Sequence, residues 1–387
     1  MDATEPSDNK SVTIDGVQFR IGSSDGSRLR VSGGSANPNA LTGDFVYDDG
    51  DGQAVVLYFG GAGDLQSGIW SVDMYSNDAG AQPGNQYAAY RVNNSERIVG
   101  IAVGPNATDP AITFQFESDG TSAYDVFLRE RGNDRTRLNA VELTHMSSLT
   151  PGTATVLRYN LDDGASDVSA AAGTSQSDAV DVLAANLSAS LITSGPGWGK
   201  EVGGNNANVG NGSGLESQTD DGHTWWSRGS LLPDNGTNDT HYASFTVTPE
   251  NGKGLDLSDG LLGVKMGATE RNETGNLEFN LTLRTSEDGF ASDIDIASML
   301  ADDNESDPLY VTSYFDLESL GMITEPLEIR LYSSDNSGSS GRHPILDSVF
   351  LLGTIESVPE PSTFALALFA LLGVGWFCRS RRSKSGG

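Results

Sequence analysis

The chain holds a single cysteine in 387 residues, Cys378, and it lies in an apolar stretch near the end. Disulfides within the body are therefore excluded, as are a cysteine nucleophile and a cysteine-based metal site there. Histidine is almost as scarce: His145, His223, His241 and His343 are all there are, and none falls in a metal-ligating spacing such as His-Glu-x-x-His. Positive charge is short too, with 23 Lys and Arg against 53 Asp and Glu and a formal net charge of -30. Such a surface repels phosphate backbones and argues against nucleic acid as a partner. It suits solubility in a salty medium, and its carboxylates also suit divalent cations. Helical periodicity is missing from nearly all of the body. The one exception is residues 175–189, where a turn or two of helix is expected.

What is present points to strands. Glycine is abundant, at 47 residues, and Ser, Asn and Asp are frequent, which suits many short strands joined by turns. Apolar and polar residues alternate in several runs. Ile112, Phe114 and Phe116 form one, and Tyr124, Val126 and Leu128 another. Leu277, Phe279, Leu281 and Leu283 form a third, and Leu327, Ile329 and Leu331 a fourth. Period two over short runs bounded by turn residues means half-buried antiparallel strands. The stretches "YDVFLRERGNDRTRLNAVELTHM" (124–146) and "LEIRLYSSDNSGSSGRHPILDSVFLLGTI" (327–355) share one plan: strand, polar loop, arginine, strand. Each reads as the closing hairpin of a sandwich. The small-residue stretch "SSLTPGTAT" (147–155) then marks a boundary. The expected fold is all-β: two tandem antiparallel β-sandwich domains over 1–150 and 154–356, with 358–387 as a separate terminal segment.

That terminal segment has three parts. Val358-Pro359-Glu360-Pro361 resists an early helix start and keeps the approach extended. Phe364 to Cys378 is apolar or small throughout and carries no charge. As a helix it rises about 22 Å against a hydrocarbon core of about 30 Å, a short transmembrane helix that tilt and snorkelling side chains would complete. Arg379, Arg381, Arg382 and Lys384 follow at once. By the positive-inside rule they stay cytoplasmic and leave the body outside. The other reading is a buried C-terminal core helix, and four basic residues directly behind it argue against that.

Motif, apolar segment and basic cluster, in that order at a C-terminus, resemble the PEP-CTERM sorting signal of Gram-negative bacteria. The resemblance implies processing by an exosortase, a membrane transpeptidase with a catalytic cysteine that cuts near the motif. It further implies an inner-membrane-anchored precursor, then release or re-anchoring at the cell surface or in the extracellular matrix, often in biofilm or exopolysaccharide settings. An N-terminal export signal belongs to the same pattern. "MDATEPSDNKSVTIDG" contains no apolar h-region, so the leader is expected upstream of this start or already removed. The alternative is a cytoplasmic protein with an accidental tail. The second half also resembles the β-sandwich that often precedes such tails, through "YASFTVTPENGKGLDLSDG" (242–260), "RTSEDGFASDI" (284–294) and "ILDSVFLLGTI" (345–355). Those modules are jelly-roll-like, with a last strand returning beside the first, and imply fold more than function.

Chemistry-bearing constellations in the body are few. In "YDDGDGQ" (47–53), Asp48, Asp49 and Asp51 offer oxygens to calcium, or form a solvated turn. The EF-hand pattern fails, because its closing position falls on Phe59, Gly60 or Ala62. In "DGHTWWSRG" (221–229), adjacent tryptophans on a strand take opposite faces. One of Trp225 and Trp226 is then expected in the core and the other as a stacking surface for a sugar, with His223 and Arg228 as hydrogen-bonding neighbours. Trp198 is a third aromatic candidate. Both readings compete with simple packing under a loop. "GSSDG" (22–26) has the letters of a nucleophile elbow around Ser24, but the following "SRLRVSGG" reads as a strand where the elbow needs a helix. No catalytic residue is assigned. The expectation is an exported, non-enzymatic structural or carbohydrate-binding protein, with calcium as its one candidate cofactor. Exosortase, the membrane and extracellular polysaccharide are its candidate partners. A β-sandwich polysaccharide lyase or hydrolase is the alternative.

Overall fold

The computed structural model describes residues 10–14, 17–22, 26–29, 44–48, 54–59, 62–76, 86–92, 95–102, 110, 112–130, 136–161, 177–194, 198–202, 223–227, 242–268, 277–301, 311–335 and 344–358. The first half opens with β1 (Lys10–Ile14), β2 (Val17–Gly22), β3 (Gly26–Leu29), β4 (Asp44–Asp48), β5 (Ala54–Phe59) and β6 (Gly68–Tyr75). It continues with β7 (Gln86–Val92), β8 (Ser95–Ala102), β9 (Ile112–Ser118), β10 (Tyr124–Glu130), β11 (Thr136–Leu138) and β12 (Ala140–Ser147). These make sheet 1, in the order β1-β2-β5-β10-β7-β8, sheet 2, β11-β4-β3, and sheet 3, β12-β6-β9.

A single helical turn, α1 (Pro151–Ala154), leads into the second half. There the strands are β13 (Thr155–Tyr159), β14 (Ser177–Asp178), β15 (Val182–Leu183), β16 (Leu187–Ala189), β17 (Ile192–Ser194), β18 (Trp198–Val202) and β19 (His223–Ser227). Then come β20 (Tyr242–Pro249), β21 (Lys253–Ala268), β22 (Leu277–Thr285) and β23 (Asp295–Ala301). Last are β24 (Val311–Asp316), β25 (Met322–Ile323), β26 (Leu327–Asp335) and β27 (Pro344–Ser357). Sheet 4 runs β15-β13-β27-β19-β18, with β21 on the other side of β27 and β24 and β25 beyond it. Sheet 5 runs β14-β17-β20-β26-β22-β23, with β16 also on β20. All pairings among the described strands are antiparallel.

The alternating runs become these strands because period two puts every second residue on one face. Phe114 and Phe116 of β9, Leu281 and Leu283 of β22, and Leu327, Ile329 and Leu331 of β26 are all buried. One core joins sheets 4 and 5. Leu157, Tyr159, Leu262, Val264, Phe315 and Leu351 from sheet 4 meet Phe245, Val247, Leu283 and Ile329 from sheet 5. Tyr159 and Phe245 touch across the two layers, with ring centroids 5.2 Å apart. The Tyr159 hydroxyl donates to Ser190 O at 2.6 Å, and burial pushes its phenol pKa up. The second half is thus a two-layer β-sandwich, and its last strand, β27, lies beside its first, β13.

Two expectations are overturned. Neither closing hairpin exists. β10 belongs to sheet 1 and β12 to sheet 3, while β26 belongs to sheet 5 and β27 to sheet 4. In both places the polar loop carries the chain to another sheet, because both flanking strands find longer partners elsewhere. The described part of 175–189, residues 177–189, is not helical either. It holds β14, β15 and β16 as short edge pieces, with Val182 and Leu183 exposed rather than gathered on a helical stripe.

β27 explains its own composition. Val349 and Leu351 face the core, while Phe350 and Leu352 face the other way, under Ile69 of β6 with Met146 and Leu149. Sheet 3 of the first half covers the outer face of sheet 4, so both faces of β27 are apolar. Gln115 of β9 donates from Nε2 to Tyr314 O at 3.1 Å and accepts from Tyr314 N at 2.5 Å. Its amide thereby continues the ladder at the edge strand β24. Ser147 Oγ donates to Asp259 O at 2.7 Å, and Ser148 N to the Asp259 carboxylate at 3.2 Å. Gly263, opposite Phe350, lies beneath its ring: a Cβ there would stand 2.2 Å from Phe350 Cζ. Gly263→Ala must displace a ring held on both sides and should cost about 1–3 kcal/mol, as overpacking does. Urea unfolding of the wild type and variant checks this through the midpoint.

Candidate functional site

Three places in the second half carry functional residues or candidates. The first is the exit of the chain. The ladder between β21 and β27 continues to its very end, pairing Asp256 with Thr354, Leu255 with Ile355, Gly254 with Glu356 and Lys253 with Ser357. Val358 N then donates to Gly252 O at 3.1 Å. Val358 is thus both the last described residue and the first of the Val-Pro-Glu-Pro motif. Pro359, Glu360, Pro361, the segment Phe364 to Cys378 and the basic cluster from Arg379 to Lys384 lie outside the described residues. Among the described residues no helix is long and apolar enough to cross a membrane.

The second is the outer face of sheet 5. Register puts Tyr242 opposite Tyr332, Ser244 opposite Arg330, and Arg330 opposite Arg284. Alternation puts these residues on the outer face, where Tyr242, Arg284 and Arg330 are half-buried and Tyr332 is itself buried, at 2% exposed, while Ala243, Leu331 and Leu283 turn into the core. The Arg330 guanidinium lies 3.5 Å from the Phe290 ring centroid and 4.5 Å from that of Tyr242. Arg284 lies 5.2 Å from the Tyr332 ring. Each arginine also has a carboxylate: Arg330 Nε to Glu328 at 2.8 Å and Arg284 Nε to Asp293 at 2.6 Å. Burial opposes the charge on Arg330, but hydrogen bonds to Tyr332 and Glu328 outweigh it and raise its pKa.

Phe290 reaches this place through a pinned loop. A 3₁₀ turn over Ser286–Asp288 ends at Gly289 with φ of 71°, and Phe290 itself has φ of 65°, a conformation non-glycine residues adopt at a cost. Asp288 holds the loop by accepting from Ala291 N at 3.1 Å, Ser292 N at 2.9 Å and the Ser292 hydroxyl. The Ser292 hydroxyl first, with these backbone bonds, lowers the Asp288 pKa. The result is aromatic faces beside fixed, charged donors. Such a pairing suits a sugar ring, whose C–H face stacks on an aromatic while its hydroxyls take hydrogen bonds. Sequence reading did not single these residues out. The signal was there in "LEIRLY", where charged and aromatic residues occupy the outward positions of an otherwise apolar alternation.

The third place is the β18–β19 ladder, which brings the tryptophan positions together. Trp198 pairs with Ser227, Gly199 with Trp226, Lys200 with Trp225 and Val202 with His223. Trp225 also stands opposite Leu346 of β27, a core residue, and Trp226 opposite Ile345. Cross-strand partners share a face. Positions 198, 223 and 225 therefore lie on the face of Leu346, and position 226 on the other. Arg228 lies outside the described residues. Asp48 ends β4 opposite Thr136, and Asp49 and Asp51 also lie outside them. Among the described residues no group of three or more His, Cys, Asp or Glu is placed to hold a metal. His145 is tied into the β6–β12 corner, with Gln66 Nε2 2.7 Å from its Nδ1 and the Trp70 ring edge-on at 4.8 Å.

Comparison with known proteins settles the first of these places. Residues 357–382 match the PEP-CTERM protein-sorting motif. The chain is a PEP-CTERM sorting domain-containing protein. The motif implies export, surface sorting and processing by an exosortase. No curated protein matches the PEP-CTERM chain. Solved structures similar to it include the tandem CBM22 domains of Paenibacillus barcinonensis, at 10% identity and a TM-score of 0.25, covering 91% of this chain and 99% of that one. The xylan-binding module CBM15 is 15% identical with a TM-score of 0.23, covering 47% and 97%. The ANX2 ectodomain from Arabidopsis thaliana is 10% identical with a TM-score of 0.26, covering 82% and 85%. At these TM-scores the β architecture rests on the strand register above, not on the likeness.

Proposed function

We propose that this PEP-CTERM protein is a non-enzymatic component of the cell surface or extracellular matrix, built of two tandem jelly-roll-like sandwiches that bind or structure exopolysaccharide in a biofilm. The observation that carries the reading is the sorting motif, which begins where the last strand of the body ends. Before processing, Phe364 to Cys378 spans the membrane as a helix, with Arg379, Arg381, Arg382 and Lys384 on the inner side. The sugar-binding part is supported by the Tyr242, Arg330 and Phe290 stack and by the tryptophan positions of β18 and β19. The net charge of -30 supports calcium as a bridge between acidic chains.

Glycan-array binding of the purified body, with and without EDTA, tests this. Binding to at least one extracellular polysaccharide is expected, weakened about tenfold (the equivalent of 1.4 kcal/mol) by Arg330→Ala or Trp226→Ala. Silence on all glycans in both conditions removes the sugar-binding role.

A further inference from the structure

The motif is not reached through a linker. Val358 and its neighbour Ser357 are held at three points. The Val358 N–H donates to Gly252 O at 3.1 Å, within a turn where Gly252 has φ of 75°. Next to it Lys253 Nζ donates to Ser357 Oγ at 3.1 Å. The Val358 side chain lies over Gly254: a Cβ there would stand 3.0 Å from Val358 Cγ2 and 2.5 Å from Met322 Sδ. Only glycine leaves that slot open. Beyond Val358, residues 359–363 are all that separate the clamp from the apolar run that starts at Phe364. Fully extended, the path from Val358 to Phe364 spans at most about 20 Å. A membrane enzyme must work inside that gap, and any enzyme that grips residues ahead of Val358 meets a strand already paired with β21. On its other edge the β13 ladder stops at Leu352, and among the described residues no strand pairs there with Gly353–Ser357. Thr354, Glu356 and Ser357 are exposed. This end of β27 is thus paired on one side only, the arrangement that frays first.

We infer that the clamped end of β27 gates processing: the folded sandwich withholds the segment ahead of the motif, and exosortase acts on chains in which the pairs from Asp256–Thr354 to Lys253–Ser357 have opened. The inference rests on the proposed sorting route. When opening and closing are fast, the rate of cleavage follows the population of the open form. Loosening the clamp must then accelerate processing even though the motif itself is untouched.

The experiment uses the full chain expressed with an exosortase, following precursor and product by pulse-chase. A six-residue Gly-Ser insertion between Ser357 and Val358 keeps the motif, the apolar segment and the basic cluster intact but frees them from the clamp. Processing is expected to accelerate on the order of tenfold, which corresponds to about 1.4 kcal/mol of local opening. Gly254→Ala, which pushes Met322 and Val358 aside, should move the rate the same way. Unchanged or slower processing of both variants overturns the gate. Glu360→Ala, made in the same background, reports on the route itself. If it abolishes processing while the two loosening variants match the wild type, the sorting route stands and the gate falls. If it leaves processing unchanged, the route falls and the gate falls with it.

Discussion

A chain ending at Val358 stays folded and loses its surface address. The truncation removes residues 359–387: most of the Val-Pro-Glu-Pro motif, the apolar run and all four basic residues after it. It leaves every pair of the β21–β27 ladder and the Val358 bond to Gly252 in place. Among the described residues no member of the buried hydrophobic core lies beyond Leu352. Thermal unfolding of the exported body should therefore match that of the processed wild type. On the proposed route the apolar run halts transfer across the membrane and the basic cluster sets its orientation, and the truncation removes both. The protein should appear wholly in the medium or periplasm, as one species, with no precursor band. Fractionation and immunoblotting with and without exosortase check this. Location and band pattern identical to the wild type would remove the sorting reading.

Phe245→Ala is expected to be the most destabilising single change in the second half. Phe245 is 2% exposed on β20, and its ring meets that of Tyr159 across the sandwich. Truncation loses the transfer free energy of the ring and leaves a cavity that two sheets held by their own ladders cannot close. The cost for such sites is about 3–5 kcal/mol, set against about 5–15 kcal/mol for a whole domain. Tyr159 would lose an aromatic neighbour while its hydroxyl still donates to Ser190 O. Chemical denaturation should show a lower midpoint with the slope preserved. A shift below about 1 kcal/mol would mean that the two layers do not share one core.

Strands such as β9, β22 and β26 were legible because each buries one face, and one face is what an alternating pattern encodes. β27 was legible as a strand, but its unbroken "SVFLLGTI" gives no face. Both its sides are covered, one by sheet 5 and the other by Ile69, Met146 and Leu149. The hairpin expectation failed for a related reason. Adjacency in sequence makes pairing cheap, yet β26 has nine residues that fit between β20 and β22, and β27 has fourteen that fit along β21. The longer ladders won. In 175–189 the apolar residues were too few and too spread to prefer a helix over short pairings with β13, β17 and β20.

By itself the sequence determined that the protein is built of strands and where it is sent. Both are local matters: alternation is read within one strand, and the sorting signal is read in order within thirty residues of chain. The tertiary structure alone decided which sheet each strand joins, that sheet 3 roofs sheet 4, and that Arg330 lies between Tyr242 and Phe290. It also decided that Val358 is seated over Gly254 and Met322. Those contacts join residues far apart in the chain, and their partners are chosen by competition among ladders and by shape at single glycines, which no local pattern records.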